Sequence, residues 1–219
     1  MKVCTDACLF GAYIANELQL PAVNNILDIG SGTGLLSLQL AQKTGAAIDA
    51  VEIDIAAFEQ AKENVAGSLW KEKISLYNAD ITKFDAGKKY DHIISNPPFF
   101  EDDLRSADKK KNFAKHDSSL TLGELLNVID QLLSEHGSFS VLLPFHRSNY
   151  FEGAAAQLNF HLAKKLLVKQ TTKHNYFRSI LIFSRSETAT KTGAITIKNE
   201  AGNYSAVFID LLKDYYLYL

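Results

Sequence analysis

The sequence predicts a single α/β domain in which helices alternate with the strands of a mostly parallel sheet. Three observations support this. Short apolar strands alternate with amphipathic helices along most of the chain. The first of these strands runs into a glycine-rich turn at residues 30–34. Segments 162–168 and 179–184 are joined by one short polar turn, which is typical of an antiparallel pair. No repeat or long linker divides the chain, so we expect residues 1–219 to form one domain.

Composition limits the class of protein. The chain has 219 residues, of which 47% are hydrophobic and 22% charged, as in a soluble domain with a large core. A net charge of −2 argues against nucleic-acid binding over the whole surface, so such a substrate would need a local basic patch. No apolar run approaches the length of about 18 residues that a membrane helix needs, and no signal peptide is evident.

The cysteine content indicates the setting. The chain has two cysteines, Cys4 and Cys8, without a partnering set of metal ligands. This spacing is too sparse for a zinc site or a disulfide framework. We therefore predict a cytoplasmic protein that binds no metal and no membrane.

The first elements are a helix, a strand and a second helix. Apolar side chains at helical spacing predict an opening helix over 5–18, with Thr5 or Asp6 as its N-cap. A strand at 26–29 follows and includes Asp28. A helix from about residue 35 to residue 43 comes after the glycine-rich turn.

The turn itself carries Gly30, Gly32 and Gly34. Glycines in this position let backbone N–H groups and a helix N-terminus approach a ligand. A dinucleotide site requires a further glycine where this chain has Leu35. The spacing, preceded by Asp28, suits a ligand that combines an amino-acid end with a nucleoside. The alternative is an ordinary turn between strand and helix.

The next two strands also end in acidic residues. Glu52 closes the strand predicted within 46–54 and could accept both hydroxyls of a ribose, whereas Asp54 is the expected N-cap of the following helix. Asp80 follows the strand predicted at 74–79 and could accept from an adenine amino group, with Ile81 against the ring. The alternatives are an exposed acid at Glu52 and a turn residue at Asp80.

The fourth strand, within 90–96, ends in a stiff loop with the sequence Asn96-Pro97-Pro98-Phe99-Phe100. The two prolines cannot donate to a strand ladder, so the strand ends by Asn96. The Asn96 side-chain oxygen and the Pro97 carbonyl could accept both hydrogens of a planar amine while Phe99 stacks on it. The alternative is a simple strand-ending turn.

The second half continues the alternation. A leucine-rich stripe from 122 to 133 predicts a helix ended by Gly137, before a strand at 138–143. A helix at 148–158, the antiparallel pair, a short strand at 193–198 and a terminal helix follow. Two basic clusters accompany these elements. One could meet phosphates or be solvated surface, and it contains Arg105, Lys109, Lys110, Lys111 and Lys115. The other contains Lys164, Lys165, Lys169, Lys173, His174 and Arg178.

The segments Asp28 to Gly34, Glu52, Asp80 and Asn96 to Phe99 resemble, in order and rough spacing, the motifs of class I S-adenosylmethionine-dependent methyltransferases. The last of them resembles the N-P-P-[FY] loop of the amino-methylating branch. The resemblance implies a Rossmann-like fold, with a seven-stranded mixed sheet whose last strand is antiparallel, flanked by helices. It also implies S-adenosyl-L-methionine as the cofactor.

Four further segments resemble the tRNA-valine (adenine-N6) methyltransferase family, whose members methylate the adenosine beside the anticodon of one valine tRNA. They begin at Met1, Ser95, Lys115 and Leu212. This resemblance implies a tRNA substrate, and we expect a monomer. It implies catalytic roles for Asn96, Pro97 and Phe99. The implied cofactor-binding residues are Thr5, Asp6, Asp28, Gly30, Gly32, Gly34, Glu52, Ile53, Asp80, Ile81 and Asn96. The residues that we expect to contact the RNA are Pro98, Phe100, Arg105, Lys109, Lys110, Lys111 and Lys115.

Several alternatives share this loop. The same chemistry acts on guanine N2 of ribosomal RNA, adenine N6 of DNA or a protein glutamine amide, because each is a planar amine. From another class, the chain could be a nucleoside-binding module without turnover, although the intact loop at Asn96 argues against it. A nicotinamide-dependent dehydrogenase is disfavoured by Leu35.

Overall fold

The computed structural model describes residues 4–18, 23–98 and 120–218. Its centre is a mixed sheet whose described strands follow the order β3-β2-β1-β4-β5-β7-β6-β8. All of them run in the same direction except β7, which is antiparallel to both of its neighbours. The strands are β1 Asn25–Ile29, β2 Ala47–Glu52, β3 Ile74–Asn78, β4 Tyr90–Ser95, β5 Leu133–Pro144, β6 His161–Thr171, β7 Tyr176–Ser184 and β8 Lys191–Lys198.

The predicted Rossmann-like α/β fold is confirmed, with one strand more than expected. The described sheet has eight strands, and the antiparallel strand is the seventh rather than the last. The extra strand is β8, which pairs in parallel with β6. It belongs to the sheet because Ile195 and Ile197, on one face of the strand, are buried in the core.

Helices cover both faces of the sheet. Two hydrophobic clusters result, one beneath the first three helices and the last, the other beneath the remaining two. Each helix therefore buries an apolar stripe against a sheet already buried from the other side. The helices are α1 Thr5–Glu17, α2 Leu35–Lys43, α3 Ile55–Ala66, α4 Leu122–Leu132, α5 Ser148–Gln157 and α6 Ala206–Leu212. Within the described part of the chain, no helix is long and apolar enough to cross a membrane.

The first helix is confirmed, but its predicted N-cap is wrong. Cys4 holds the cap position and makes no capping side-chain hydrogen bond, while Thr5 and Asp6 lie in the first turn. The Asp6 carboxylate instead accepts a hydrogen bond of 2.8 Å from Nε of Arg178, near the start of β7. This ion pair fixes the N-terminus of α1 beside the carboxyl end of β5, since Arg178 pairs with Pro144.

The boundary between α4 and β5 also differs from the prediction. The helix begins after a capping box in which Thr121 and Glu124 bond each other's backbone N–H groups. It ends at Leu132, and β5 starts at once, so Gly137 lies inside the strand. The register of β4 against β5 shifts just before this glycine. A Cβ at Gly137 would come within 2.8 Å of the Leu133 side chain, which explains the glycine without a helix end.

A buried histidine joins β4 to β5. His92 is 1% exposed, and its two ring nitrogens lie 2.8 Å and 2.9 Å from the hydroxyls of Ser138 and Ser140. Burial lowers the pKa of His92 to about 3, because a charged ring would lose its hydration. The ring is therefore neutral in the folded protein.

This neutral ring predicts a loss of stability in mild acid. Below the unfolded pKa of about 6.5, the unfolded chain binds a proton at His92 that the folded chain does not, and stability falls as the pH falls. Between pH 7 and pH 5 the free energy of unfolding should fall by about 2 kcal/mol more in the wild type than in His92→Gln. Urea unfolding at both pH values measures this, with the exposed His136 changed to Gln as a control. Equal losses in wild type and His92→Gln would contradict the prediction.

Candidate active site

Four neighbouring strands, β3, β2, β1 and β4, end at one edge of the sheet, and the last three of these lie side by side. The register places Ile29 of β1 beside Val51 of β2 and beside Ser95 of β4. The residues that follow these three therefore meet at the carboxyl edge, with Gly30 between Glu52 and Asn96. Adjacent strands are ~4.8 Å apart, so one small molecule can contact all three. In open α/β sheets this edge is where ligands bind.

The glycine-rich turn has the backbone that its sequence requires. Gly30, Gly32 and Gly34 have φ angles of 69°, 57° and 81°, in the left-handed region that favours glycine. A Cβ at Gly30 would have no atom of the described structure within 4 Å, so this residue borders open space. A Cβ at Gly34 would instead touch Ala61 of α3 at 3.6 Å. Gly30 therefore suits a ligand wall, while Gly34 packs against α3 at ordinary contact distance and is required by its positive φ rather than by space.

Asp28 is completely buried just before this turn. One carboxylate oxygen accepts a hydrogen bond of 2.6 Å from the hydroxyl of Ser37, in α2. The other, Oδ1, has no hydrogen-bond partner in the described parts of the chain. Burial raises the pKa of Asp28 to about 7, the Ser37 hydroxyl opposes this rise, and Glu52 adds a smaller upward contribution.

Glu52 lies nearly buried at the end of β2. One of its oxygens accepts from the N–H of Gly32 and the other from the N–H of Asp54, each at 2.8 Å. The first bond ties the glycine-rich turn to β2. The carboxylate is thereby fixed in orientation, with further lone pairs for hydroxyl donors. Asp54 caps α3 by accepting from the N–H of Ala57, as predicted.

The Asp80 position at the end of β3 has local partners. Its carboxylate accepts from the backbone N–H and the hydroxyl of Thr82, at 3.0 Å and 2.7 Å. These hydrogen bonds lower the pKa of Asp80. Its other oxygen lies 3.3 Å from Nζ of Lys83. Asp80 thus already acts as a turn residue, and only its remaining lone pairs are available to an amino group.

Two aliphatic side chains stand beside these acids. Ile53 follows Glu52 and is 53% exposed, which is unusual for a large apolar side chain in an otherwise buried strand region. Ile81 is partly buried in the 3₁₀ turn after Asp80. Both can supply apolar surface to a flat ring.

The loop after β4 begins as the sequence predicted. β4 ends at Ser95, whose hydroxyl donates to the carbonyl of Ile29 at 2.9 Å and so fixes the ends of β4 and β1 together. Asn96 follows, and its Oδ1 is buried with no hydrogen-bond partner among residues 4–18, 23–98 and 120–218. Pro97 is buried and Pro98 exposed. A strong acceptor is therefore held, unpaired, next to Gly30.

Some predicted site residues are placed differently or cannot be placed. Both carboxylate oxygens of Asp6 are engaged, one by Arg178 and the other by the N–H of Ala7 at 3.1 Å. Asp6 therefore anchors α1, and Thr5 lies partly buried in the same turn. The remaining predicted residues lie outside the described ones: Phe99, Phe100, Arg105, Lys109, Lys110, Lys111 and Lys115.

Three serines belong to the site and were not predicted. Ser37 bonds Asp28, Ser95 links β4 to β1, and Ser31 lies in the turn with a buried hydroxyl that has no partner in the described structure. Ser31 and Ser95 each adjoin a predicted site residue, a signal that could have indicated them. Ser37 lies on a helix nine positions after Asp28, and the pattern gave no sign of it.

The polar groups fit the cofactor expected from the resemblance. Buried acceptors or hydroxyls without a partner in the described structure occur at Asp28, Ser31 and Asn96, which lie next to Gly30 in the turn or at the neighbouring strand ends. Buried polar atoms cost free energy unless a partner satisfies them, so their clustering indicates a polar ligand. The described residues contain no group of three or more side chains able to hold a metal ion.

The buried Asp28 carboxylate predicts a stability cost at alkaline pH. Because its folded pKa is raised, the folded state binds the proton more tightly, and stability falls as the pH rises from about 4 to about 7. Asp28→Asn removes the charge and keeps an acceptor for Ser37. It should raise the Tm of the ligand-free protein by about 5 °C or more at pH 8, and by less at pH 5. Thermal unfolding measures both values, with exposed Glu63→Gln as control. A variant less stable than wild type at pH 8 would contradict this account.

Two sequence comparisons find known relatives of this chain. The family model described as "methyltransferase small domain" matches residues 11–143. A relative from Dyadobacter fermentans, named tRNA1(Val) (adenine(37)-N6)-methyltransferase, is 41% identical over 99% of this chain and 91% of its own length. A relative of the same name from Pectobacterium carotovorum is 39% identical over 100% of this chain and 88% of its own.

Solved structures show the same fold. A predicted O-methyltransferase from Agrobacterium tumefaciens superposes with a TM-score of 0.73 at 14% identity, covering 97% of this chain and 98% of that one. A magnesium protoporphyrin IX methyltransferase from Synechocystis, solved with S-adenosylmethionine bound, gives 0.57 at 17% identity, covering 83% and 78%. From the family match and the full-length relatives, this chain belongs to the small-domain methyltransferases and, among them, to the tRNA1(Val) (adenine(37)-N6)-methyltransferase family.

Proposed function

We propose that this protein transfers the methyl group of S-adenosylmethionine to the N6 amine of an adenosine in tRNA, the one beside the anticodon of a valine tRNA. The observation that carries the proposal is the Asn96 side chain. Its Oδ1 is a buried acceptor without a partner in the described structure, held beside the glycine-rich turn and followed by two prolines. The full-length relatives carry the choice of tRNA, since both bear the name of that activity.

The residues of the turn and the neighbouring strands hold the methyl donor. Glu52, already oriented by two backbone N–H groups, accepts from the ribose hydroxyls. The unpaired Oδ1 of Asp28 and the open side of Gly30 face the amino-acid end. Ile53 and Ile81 pack against the adenine. Asp80 accepts a hydrogen bond from the adenine amino group. When bound, S-adenosylmethionine supplies an electrophilic methyl group on a positively charged sulfur.

Asn96 and Pro97 act on the accepting amine. The lone pair of an adenine N6 is delocalised into the ring, so the nitrogen is a poor nucleophile in the free base. Asn96 Oδ1 and the Pro97 carbonyl each accept a hydrogen bond from one N6 hydrogen. These two bonds localise the lone pair on N6 and align it with the methyl group. The same two oxygens stabilise the positive charge that develops on N6 during transfer.

Proton removal needs no base before methyl transfer. The methylated nitrogen carries a positive charge and is a strong acid, so its proton leaves afterwards. His92, the histidine nearest to Asn96 in the chain, is bonded to Ser138 and Ser140 and has its pKa lowered to about 3, so it is unsuited to carry that proton. Catalysis thus depends on positioning and on acceptor oxygens rather than on a titrating group.

The target adenine must leave its stack to reach this loop. Bases in single-stranded RNA loops can be turned outward and received by aromatic side chains, the role proposed for Phe99. Unstacking costs less in a loop than in a duplex, which favours an anticodon loop over DNA. We also propose that the protein is a cytoplasmic monomer. Its molecular mass in solution tests the monomeric state.

The central experiment measures transfer of tritiated methyl groups from S-adenosylmethionine into unmodified tRNA, followed by separation of the nucleosides. Wild type should label N6-methyladenosine. Asn96→Ala should lower kcat by about 10²- to 10³-fold, because an acceptor that stabilises transition-state charge is lost. Its affinity for S-adenosylhomocysteine should change far less.

The control is Asn127→Ala, which removes an exposed asparagine side chain from α4 and should leave the rate unchanged. Undiminished labelling by Asn96→Ala would contradict the role of the loop. Labelling of guanine in ribosomal RNA, of DNA or of a protein glutamine in place of tRNA would replace the proposed substrate with that one. Tight binding of S-adenosylhomocysteine without transfer to any of them would indicate a binding module.

A further inference from the structure

The carboxyl edge of the sheet continues beyond the candidate active site. From β4 it passes across β5, β7, β6 and β8, because β7 enters at this edge and the other three end there. The register places Pro144 beside Arg178, Lys169 beside Tyr176 and Thr171 beside Lys198. Four steps of ~4.8 Å separate β4 from β8, so the edge extends ~19 Å from Asn96.

This part of the edge carries one exposed aromatic ring and two partly buried ones. Phe145, directly after β5, is 40% exposed, and its ring centroid lies 5.5 Å from that of Tyr176. Nζ of Lys169 lies 4.7 Å from the centroid of the Tyr176 ring, in a cation–π arrangement. Farther along, Lys198 lies 5.7 Å from the ring centroid of Tyr204. Phe145 thus presents an exposed ring that packs on the partly buried Tyr176 beside a lysine, which indicates a surface that is covered by a partner.

The cations of the second basic cluster separate into two groups. Lys164 and Lys165 pair with Glu17 and Glu152 and are neutralised within the fold. Arg178 is engaged by Asp6. Lys169 and Lys173 have no salt bridge within 4.0 Å to a carboxylate of the described residues, and neither has Lys198, which lies outside this cluster; all three lie at the carboxyl edge. Glu200, which accepts a long hydrogen bond of 3.4 Å from Thr172, is an acidic side chain beside them.

The charge of this edge differs from that of the whole chain. The chain as a whole has a net charge of −2, so a polyanion must be bound by a local concentration of positive charge. At this edge the lysines accompany the aromatic rings of Phe145 and Tyr176, and the same edge begins at Asn96. Lysine pairs with phosphate, and an aromatic face stacks on a base whatever its identity. An acidic protein would satisfy the lysines but would have no use for the aromatic rings.

We propose that this basic–aromatic edge, formed by Phe145, Lys169, Lys173, Tyr176 and Lys198, docks the anticodon arm of the tRNA. Phe145 and Tyr176 stack on an unpaired base beside the target adenosine. The three lysines contact backbone phosphates of the same arm. The inference rests on the proposed function, because it assigns the surface that presents the substrate to Asn96.

The first test separates substrate docking from chemistry. In the triple variant Lys169→Ala, Lys173→Ala, Lys198→Ala, the KM for unmodified tRNA should rise about 10-fold or more, with kcat nearly unchanged. The affinity for an isolated anticodon stem-loop should depend less on salt. The slope of log affinity against log salt concentration should fall in magnitude by about 2 to 3. S-adenosylhomocysteine affinity and Tm verify that the variant is folded.

The matched control is Lys191→Ala, which removes an exposed lysine from the opposite end of β8. It should change neither KM nor the salt slope. Phe145→Ala should raise KM about 10-fold, and Phe145→Tyr should keep KM near the wild-type value, because tyrosine retains the aromatic face that stacks on a base.

The outcomes distinguish this inference from the proposed function. Transfer to tRNA by wild type, with the lysine and Phe145 variants impaired in KM as stated, supports docking at this edge. Transfer by wild type, with these variants no different from Lys191→Ala, overturns the docking surface and leaves the function standing. Absence of transfer to any tRNA by wild type overturns the proposed function and the docking inference with it.

Discussion

The alignment of β1 with its two neighbours is the constraint on which the site depends. Ile29 pairs with Val51 on one side and Ser95 on the other, and the Ser95 hydroxyl bonds the Ile29 carbonyl. A shift of one residue would turn every side chain of a strand to the opposite face. Burial of both faces of the sheet therefore fixes the register, and the register fixes Asp28, Glu52 and Asn96 relative to one another.

The site is built at the expense of stability. Asp28 Oδ1, Ser31 Oγ and Asn96 Oδ1 are buried without partners in the described structure, and each such atom costs about 1–3 kcal/mol. The raised pKa of Asp28 reflects the same cost, because a buried carboxylate loses the hydration that stabilises its charge. The surrounding packing bears this cost, because residues such as Leu27 and Ile29 are almost fully buried. Polar groups that the fold leaves unsatisfied are then available to a ligand.

Much of this could be predicted from the sequence, for reasons that particular residues show. Glycines at positive φ and prolines that end a strand constrain the backbone locally, so the sequence predicts the turn at Gly30 and the end of β4 before Asn96, and both are confirmed. Where tertiary packing determines the structure, the local sequence pattern gave wrong predictions. Gly137 resembled a helix end but lies within β5, and Asp6 resembled an N-cap but pairs with Arg178, which is 172 positions away. The eighth strand was visible in the pattern of Ile195 and Ile197, whereas the count of seven came from the resemblance.

The basic–aromatic edge adds a second lesson. Only the structure shows that Lys164 pairs with Glu17 whereas Lys169, in the same strand, has no salt bridge to a described carboxylate.

The claim at the centre of this account is that Asp28, Glu52 and Asn96 form one methyl-transfer site. A crystal structure of the protein with S-adenosylhomocysteine tests it most directly. The account predicts the ribose hydroxyls on Glu52, the amino-acid end beside Gly30 and Asp28, and the sulfur on the side of Asn96. A ligand bound away from this edge, or with its ribose on another residue, would contradict it.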